Sequence, residues 1–246
     1  MTCDNIPFKE LAVIIPTYNE KDNVLLLLAK LQKALAGVEW EAIVVDDNSP
    51  DGTWQVVTQA ARGDSRVRLI RRIGRKGLSS ACIEGMLSSS ADYLAVIDAD
   101  LQHDETVLST MLSLLKKGSL DVVVGSRYVD GGGMDAWPES RVRASRLATN
   151  FSKAVTGLLI QDPMSGFFML RRGYFEGCAA ALNGRGFKIL LDLLMSSAVP
   201  PRFKEVPYKF RLRQHGESKL TMKVVLDYFL LVIQKGIQRK MSAQRG

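Results

Sequence analysis

The 246-residue chain has few of the residues that build disulfide frameworks and zinc sites. Its three cysteines, Cys3, Cys82 and Cys178, stand far apart and form no C-x-x-C pair. This spacing excludes a disulfide framework or a zinc knuckle and suits a reducing compartment. The two histidines, His103 and His215, argue against a zinc site built on a histidine pair.

Glycine-rich phosphate-binding loops are also absent. No G-x-G-x-x-G follows an apolar strand, and no G-x-x-x-x-G-K-[ST] occurs in the chain. These absences exclude an ordinary dinucleotide-dependent dehydrogenase and a P-loop NTPase. Neither Ser126 nor Ser165 stands in a G-x-S-x-G nucleophile elbow.

Long apolar runs are missing too. A membrane-spanning helix needs roughly 18 consecutive apolar residues, and the best candidate, residues 224–233, is shorter and contains Asp227. The first ten residues are polar and lead directly into a predicted strand, so no signal peptide is expected.

Excess charge of one sign is confined to the end of the chain. Residues 200–246 hold eleven Lys and Arg against three Asp and Glu, whereas residues 1–199 hold 22 against 23. The net charge of +7 therefore belongs to the C-terminal part. Such a basic segment predicts an anionic partner, which is a membrane, a nucleic acid or a phosphorylated substrate.

Apolar residues make up 46% of the chain, and short β-branched runs alternate with amphipathic segments. This alternation predicts βαβ units and one α/β domain whose mostly parallel sheet is covered on both faces. The predicted strands lie within residues 11–16, 41–47, 67–71, 93–98, 121–127, 162–172 and 203–210. The predicted helices lie within residues 21–35, 51–62, 77–89, 104–117, 141–159, 187–197 and 221–240. Three consecutive glycines and a proline predict a long mobile loop over residues 128–140.

Charged residues follow three of the predicted strands where those strands end. They are Asp46 and Asp47, then Asp98 and Asp100, and finally Arg127. In open α/β sheets, ligands bind outside the carboxyl ends of the strands. Two carboxylates at i and i+2 of a strand point the same way and suit Mg²⁺ or Mn²⁺ together with a substrate diphosphate. The alternative is that Asp98 only caps the following helix.

Other polar residues near these strand ends have structural interpretations. Asp46 and Asp51 are predicted to be turn and cap residues. Four basic residues either neutralise a bound nucleotide or form a solvated loop: Arg71, Arg72, Arg75 and Lys76.

Six short motifs occur in the order seen in one enzyme family. They are VIIPTYNE (13–20), VVDDNSPDGT (44–53), DADLQH (98–103), GSRY (125–128), DPMSGFF (162–168) and GESKL (216–220). A lone D-x-D is weak, but six motifs in order are highly specific. Over residues 11–220 the sequence resembles the polyprenol (dolichol) phosphate mannose synthases, a branch of the inverting glycosyltransferase family 2 with the GT-A fold.

The resemblance implies a catalytic domain over residues 1–220 that moves a hexose from a nucleotide sugar to a membrane polyprenyl phosphate. Mannose from GDP-mannose is the favoured donor, and glucose from UDP-glucose is the alternative. Mg²⁺ or Mn²⁺ is the implied cofactor, and no nucleic acid partner is implied.

The same resemblance, carried over position by position, implies three groups of site residues. The nucleotide would contact Pro16, Tyr18, Glu20, Val45, Asp47, Asp98, Ala99 and Asp100. The metal would be held by Asp98, Asp100 and Gln102. The acceptor phosphate would lie against Arg127, Arg141, Ser145, Arg213 and Lys219. The catalytic residues would be Asp98, Arg127, Arg141, Arg213 and Lys219.

A catalytic base motif found in many family 2 enzymes is absent, because the chain has neither a late E-D pair nor a Q-x-x-R-W helix. A hydroxyl acceptor needs a base to remove its proton. A phosphate, whose second pKa is about 6, is already anionic near neutral pH. The absence therefore favours a lipid phosphate acceptor over the sugar hydroxyl of a polysaccharide.

Residues 221–246 predict a C-terminal amphipathic basic helix, which is either an interfacial anchor on anionic lipid or an ordinary packing helix. Peripheral association with the cytosolic face of a membrane is expected, at the plasma membrane of a prokaryote or the endoplasmic reticulum of a eukaryote. A membrane-embedded partner subunit, or a transmembrane segment of a longer chain, is a further expectation. Two rival functions stay open: a family 2 transferase with a protein-bound or saccharide acceptor, and a non-catalytic basic module that binds nucleic acid or membrane.

Overall fold

The computed structural model describes residues 9–134, 159–184, 186, 188–197 and 199–211. The strands in these residues are β1 (Leu11–Thr17), β2 (Trp40–Asp46), β3 (Val67–Arg71), β4 (Tyr93–Val96), β5 (Val122–Ser126), β6 (Gly133–Met134), β7 (Phe168–Arg171), β8 (Phe203–Pro207) and β9 (Lys209–Phe210). The helices are α1 (Lys21–Ala34), α2 (Thr53–Gly63), α3 (Leu78–Leu87), α4 (Val107–Lys116), α5 (Arg172–Ala179) and α6 (Ile189–Ser196).

Seven of these strands form one mixed sheet in the order β3-β2-β1-β4-β7-β5-β8. β1 pairs in parallel with β2 and β4, β2 with β3, and β5 with β8. β7 runs antiparallel to both of its neighbours, β4 and β5. The predicted α/β domain with a mostly parallel sheet is therefore confirmed. β6 and β9 form a separate two-stranded parallel ribbon.

The central strand β1 shows why the sheet is buried on both faces. Successive side chains of a strand point to opposite faces, and every residue of β1 is buried. Ala12 and Ile14 face a core that contains residues of α3, α5 and α6. Leu11, Val13 and Ile15 face the second core, built with α1, α2 and α4. A continuous apolar run is what such a doubly covered strand requires.

Helix α1 packs on the sheet through one apolar stripe. Its buried residues Val24, Leu27, Leu28 and Leu31 recur at the three- and four-residue spacing of a helix face. Burial of each leucine side chain stabilises the fold by about 1.5–3 kcal/mol relative to exposure. Truncating Leu31, which is fully buried, would remove that contribution and leave a cavity.

The structure differs from the sequence-based expectation at three places. The predicted strand over 93–98 ends at Val96, and the predicted strand over 203–210 is divided at Tyr208 into β8 and β9. Helix α5, which follows β7 without a loop, was not predicted. The helices predicted over 141–159 and 221–240 lie outside the described residues, apart from residue 159, which is not helical. No helix in the described part of the chain is long and apolar enough to cross a membrane.

Candidate active site

The predicted site residues gather at the carboxyl edge of the parallel strands. Asp47 follows β2, Asp98 and Asp100 follow β4, and Arg127 follows β5. Because β7 runs in the opposite direction, the loop that precedes it, residues 162–167, reaches the same edge. Charged groups from four separate chain segments thus surround one end of the sheet.

The D-A-D acids lie in a turn and not on a strand. β4 ends at Val96, so the two-residue alternation of a strand does not orient Asp98 and Asp100, and that part of the expectation was wrong. Val96 is the last residue of β4 that pairs with β1. Within the turn that follows, Leu101 takes the left-handed conformation, with a φ of 62°. This conformation costs a residue other than glycine roughly 1–2 kcal/mol. Buried at 3% exposure, Leu101 anchors the turn in the core.

Asp98 is the most accessible of the acids. Its side chain is 33% exposed, and its Oδ2 lies 3.3 Å from His103 Nε2. Its other oxygen makes no hydrogen bond with the described residues. A partly exposed carboxylate oxygen of this kind is a suitable ligand for Mg²⁺ or Mn²⁺, so the chemistry of the side chain fits the implied ion.

Asp100 and Gln102 are more constrained. Asp100 is 7% exposed and its Oδ1 accepts a hydrogen bond of 3.2 Å from the backbone N–H of Gln102. The Gln102 side-chain amide donates to the carbonyl oxygen of Arg211 at 3.1 Å, and the Arg211 N–H donates to the Gln102 carbonyl at 2.8 Å. These bonds fix Gln102 against Arg211. Among the described residues, no three His, Cys, Asp or Glu side chains form a metal site.

Asp47 forms a buried ion pair with Arg72. Asp47 Oδ2 accepts the Gly77 N–H at 2.7 Å, and Arg72 Nη1 lies 3.0 Å from Asp47 Oδ1. Burial raises the pKa of Asp47, although the Gly77 N–H and Arg72 act to lower it. The Arg72 contact is off the hydrogen-bond direction, so Asp47 Oδ1 is a buried acceptor with no hydrogen bond among the described residues.

The basic segment after β3 is divided among three environments. Arg72 is fully buried and also donates to Ser80 Oγ at 2.6 Å. Arg71 stacks over Trp54, with its Cζ 3.7 Å from the ring centre. Lys76 Nζ lies 4.7 Å from the centre of the Tyr18 ring. Arg72 is thus structural, whereas the Arg71 and Lys76 side chains lie over aromatic rings.

Asp46 and Asp51 are turn and cap residues, as predicted. Asp46 accepts hydrogen bonds from Thr17 Oγ1, Ser49 N and Ser49 Oγ at 2.9, 2.8 and 2.6 Å. Asp51 accepts from Thr53 at the start of α2 and from Lys21 N at the start of α1. These bonds hold the loops after β1 and β2 together.

The other predicted nucleotide contacts have mixed placements. Val45 is fully buried in the core, so only its backbone can meet a ligand. Pro16, near the end of β1, and Ala99, in the D-A-D turn, are buried as well. Glu20 accepts a hydrogen bond of 2.8 Å from Asn23 Nδ2, and its N–H donates to Thr53 Oγ1 at 3.0 Å.

Arg127 makes a buried bidentate ion pair with Asp162. Arg127 Nε and Nη2 each lie 2.7 Å from an oxygen of that carboxylate. Burial acts to lower the pKa of Arg127, but the Asp162 carboxylate raises it above its ordinary value. The backbone N–H groups of Gln161 and Asp162 donate in turn to Glu205 on β8. A phosphate at Arg127 would have to use the guanidinium hydrogens that Asp162 leaves available.

Two residues that the sequence did not single out as site residues lie near these charged groups. Lys188 is 9% exposed and pairs with no carboxylate of the described residues. Burial and then the Arg127 charge lower its pKa to about 8, although Asp162 and Asp98 oppose the shift. His103 lies between Asp98 and Tyr208. Its position directly after the D-A-D-x-Q motif was the one sequence feature that could have drawn attention to it.

Four predicted acceptor-phosphate residues lie outside the described residues: Arg141, Ser145, Arg213 and Lys219. The predicted loop 128–140 is described as far as Met134. Its first part is tied to the site, because the Gly133 N–H donates to the Tyr208 carbonyl at 3.3 Å.

Solved structures share this architecture. Glucosyl-3-phosphoglycerate synthase from Mycobacterium tuberculosis, in complex with uridine diphosphate, aligns with a TM-score of 0.65 at 18% identity, over 94% of this chain and 80% of that one. The same enzyme with Mn²⁺, UDP-glucose and phosphoglyceric acid aligns with a TM-score of 0.65 at 17% identity, over 94% and 79%. The fold is GT-A, as predicted.

Curated relatives are more similar in sequence. Dolichol-phosphate mannosyltransferase of Pyrococcus furiosus is 42% identical over 221 residues, which are 89% of this chain and 61% of that protein. Dolichol-phosphate mannosyltransferase of Saccharomyces cerevisiae is 38% identical over 228 residues, 89% and 84% of the two chains. Polyprenol monophosphomannose synthase of Mycolicibacterium smegmatis is 33% identical over 247 residues, 98% and 92%. The chain thus spans less than two thirds of the Pyrococcus furiosus protein.

Residues 12–178 match the family described as Glycosyl transferase family 2. The chain belongs to this family. Its predicted resemblance to the polyprenol phosphate mannose synthases is confirmed by the names and identities of these relatives.

Proposed function

We propose that the chain is an inverting, metal-dependent glycosyltransferase that moves a hexose from a nucleotide sugar to a polyprenyl or dolichyl monophosphate. Mannose from GDP-mannose is the favoured donor, because the relatives at 33–42% identity are named for mannosyl transfer to such lipids. The observation that carries the proposal is the accessible Asp98 carboxylate beside Asp100, at the sheet edge that Asp47 also borders.

The residues at this edge of the sheet suit the two ends of a nucleotide sugar. Asp47 would contact the base or ribose, and Tyr18 and Lys76, whose polar ends lie 3.4 Å apart, are further proposed contacts of the nucleotide. Asp98, Asp100 and Gln102 would hold Mg²⁺ or Mn²⁺, with the remaining ligands supplied by the donor diphosphate. When bound, the ion supplies positive charge that stabilises the departing diphosphate. The Mn²⁺ in the neighbouring synthase structure supports a divalent ion of this kind.

The transfer step needs no protein base. A phosphate oxygen of the acceptor attacks the anomeric carbon and forms the new C–O bond, while the bond to the nucleoside diphosphate breaks and that group leaves with the electron pair. Because the nucleophile is already an anion, no proton has to be removed. Attack from the side opposite the leaving group inverts the anomeric configuration.

Like charges must approach each other in this reaction, since the acceptor and the donor diphosphate are both anionic. Basic residues are therefore required near the acceptor. Arg127, Arg141, Ser145, Arg213 and Lys219 are the proposed phosphate contacts. Charge-assisted hydrogen bonds from these groups would offset the repulsion and direct the attack.

Peripheral attachment to the cytosolic face of a membrane follows from the lipid acceptor. The basic amphipathic segment 221–246 is the proposed contact with anionic lipid, through its charge and its apolar face. Sedimentation with anionic vesicles tests this: a chain shortened after residue 220 should lose vesicle binding that the full chain retains.

A panel of nucleotide sugars tests the central proposal. Each sugar is offered with polyprenyl phosphate and Mn²⁺ or Mg²⁺, and the lipid product is identified by mass spectrometry. The expected product is mannosyl phosphopolyprenol from GDP-mannose. Glucosyl phosphopolyprenol would assign the UDP-glucose alternative, a glycosylated saccharide or protein would assign a different family 2 acceptor, and binding without any transfer would favour a non-catalytic module.

A further inference from the structure

His103 bridges the accessible acid of the site and a buried tyrosine. Its Nε2 lies 3.3 Å from Asp98 Oδ2, and its Nδ1 lies 2.9 Å from Tyr208 Oη. The ring is 4% exposed and is packed against Phe167, Tyr208 and Phe210, with centroid distances of 5.3, 5.4 and 5.6 Å. Both ring nitrogens therefore have a polar partner inside an aromatic enclosure.

Of the two neutral tautomers of His103, one gives both ring nitrogens a matched hydrogen-bond partner. Burial raises the pKa of Tyr208 well above its ordinary value, so the phenol stays protonated and can donate. If Tyr208 donates to Nδ1, the imidazole is neutral and carries its proton on Nε2, facing Asp98. The Asp98 carboxylate accepts that N–H through Oδ2, so both ring nitrogens have a matched partner. The opposite tautomer would set the Nε2 lone pair against a carboxylate oxygen.

Tyr208 is held rigidly by the backbone. Its N–H donates to the Ser126 carbonyl at 3.2 Å, and its own carbonyl accepts the Gly133 N–H at 3.3 Å. His103 is also fixed at its backbone, since the Arg211 guanidinium donates to its carbonyl at 3.3 Å. The imidazole thus links the backbone at the end of β5 to the Asp98 carboxylate, which is one-third exposed.

We propose that Tyr208 and His103 form a hydrogen-bond relay that orients the Asp98 carboxylate for binding the metal ion and the donor diphosphate. The inference rests on the proposed metal-dependent transfer. His103 is a positioning residue in this relay and touches neither substrate nor metal. Such partners of a metal-binding carboxylate typically change metal affinity or activity by about 10–100-fold.

Three substitutions of His103 separate the two halves of the relay. His103→Asn places an amide near the Nδ1 position and keeps only the Tyr208 side. His103→Gln places an amide nitrogen near Nε2 and keeps the bond to Asp98. His103→Phe keeps the aromatic packing and removes both bonds. Phe167→Leu is the packing control, because it disturbs the enclosure without removing either hydrogen bond.

The measurement is the dissociation constant of Mn²⁺, obtained from the electron paramagnetic resonance signal of the free ion. It is made with saturating GDP and, in parallel, with saturating UDP. His103→Phe and His103→Asn should weaken Mn²⁺ binding by about tenfold or more, and His103→Gln by less than about threefold. Phe167→Leu should lower the melting temperature and leave Mn²⁺ binding unchanged. Transfer assays compare two quantities in His103→Phe. The Mn²⁺ concentration that gives the half-maximal rate should rise by a larger factor than the factor by which the rate at saturating Mn²⁺ falls.

Tyr208→Phe completes a double-mutant cycle. It should weaken Mn²⁺ binding in the wild-type background, where it frees the imidazole to change tautomer, and have no further effect in His103→Gln. Equal Mn²⁺ affinity in wild type, His103→Phe and His103→Asn overturns the relay, as does additivity of the two substitutions. A wild-type chain that binds Mn²⁺ through the relay but forms no lipid-linked hexose would refute the proposed function and leave the relay standing.

Discussion

Gly166 lies directly against the carboxylate of Asp98. A Cβ atom at position 166 would stand 2.5 Å from Asp98 Oδ2 and 3.0 Å from its Cγ. These distances are too short for a contact, so one of the two groups would have to move. Gly166 belongs to the loop before β7, so the contact joins the antiparallel strand to the D-A-D turn. The placement of the accessible acid therefore depends on a residue that has no side chain.

Gly166→Ala should displace the Asp98 carboxylate while the fold survives. The clash is with the end of a side chain that is one-third exposed and can rotate away. A displacement of about 1 Å at a reacting site can reduce the rate on the order of 100-fold. Lipid-linked transfer, measured with saturating donor, should fall by about that factor, and thermal melting should change little.

Gly177→Ala is the matched control. Gly177 lies in α5, where an added Cβ would meet nothing within 4 Å. Removing a helical glycine should stabilise the protein by up to about 1 kcal/mol. Full transfer activity is expected in this variant. If both alanine variants transferred equally well, the contact between Gly166 and Asp98 would have no functional importance.

The placement of β7 explains why Gly166 could not be recognised from the sequence. The run FFML predicts a strand by its own composition, and that prediction was right. Its direction and its neighbours depend on contacts with β4 and β5, which are distant in the chain. The local pattern carries no information about them, so neither the antiparallel pairing nor the approach of Gly166 to Asp98 followed from it.

Asp100→Asn should abolish metal-dependent transfer and leave stability close to that of wild type. Asparagine can still accept the Gln102 N–H through its side-chain oxygen, so the turn keeps its hydrogen bond. It cannot supply the negative charge that a divalent ion requires, and a loss of about 100-fold or more is expected. Transfer rates measured against Mn²⁺ concentration check the loss of activity, and thermal melts check that stability is unchanged.

Asp64→Asn serves as the control for charge alone. Asp64 lies at the end of α2 and pairs with the partly exposed Arg66, an interaction worth about 0–1 kcal/mol. Its transfer rate and Mn²⁺ dependence should match those of wild type. Persistence of full activity in Asp100→Asn would remove Asp100 from the proposed metal ligands.

Asp162→Asn should strongly destabilise the fold. The Asp162 side chain is 1% exposed and that of Arg127 10%, and they are joined by two bonds of 2.7 Å. Removing one member of a buried ion pair leaves an uncompensated charge, which costs about 3–5 kcal/mol. Urea unfolding measures this loss. The double variant Arg127→Met with Asp162→Asn should recover part of it, because no lone buried charge remains; a single variant as stable as wild type would contradict the argument.

The sequence predicted the fold and the strand-end acids because both follow from local patterns. Apolar runs such as residues 11–16 specify strands, and the acids that close them have no place in a core. Partnerships across the sheet were not predictable in this way. Arg127 and Asp162 are 35 residues apart, and Arg72 stands among basic neighbours that share its composition but not its burial.

Lys188 provides a prediction about pH. Burial, followed by repulsion from Arg127, lowers the pKa of its ammonium group from an ordinary 10.5 to about 8. Below pH 8 both the folded and the unfolded chain hold this proton, and the folded chain bears the full cost of a buried cation. Between about pH 8 and 10.5 the unfolded chain binds more protons at this site, so the stability contributed by residue 188 rises with pH. A shift of this size corresponds to about 3 kcal/mol.

Lys188→Met should therefore stabilise the protein near pH 7, by on the order of 1–3 kcal/mol, since methionine fills a similar volume without charge. The advantage over wild type should shrink as the pH approaches 10. Urea unfolding of both chains at several pH values checks this. Lys204→Met, at an exposed position on β8, should show a difference that does not depend on pH in this range.

The same Lys188→Met variant should lose activity. A buried cation near Asp98, Arg127 and Asp162 destabilises the free protein. Its charge is compensated when an anionic phosphate or diphosphate binds at this edge of the sheet. Removing the cation should slow transfer by about 10–100-fold, the value of one hydrogen bond to a charged group. Stability that increases while transfer decreases is the pattern expected of a residue retained for function. A variant that is less stable than wild type at pH 7, with transfer unchanged, would show that Lys188 is a structural residue.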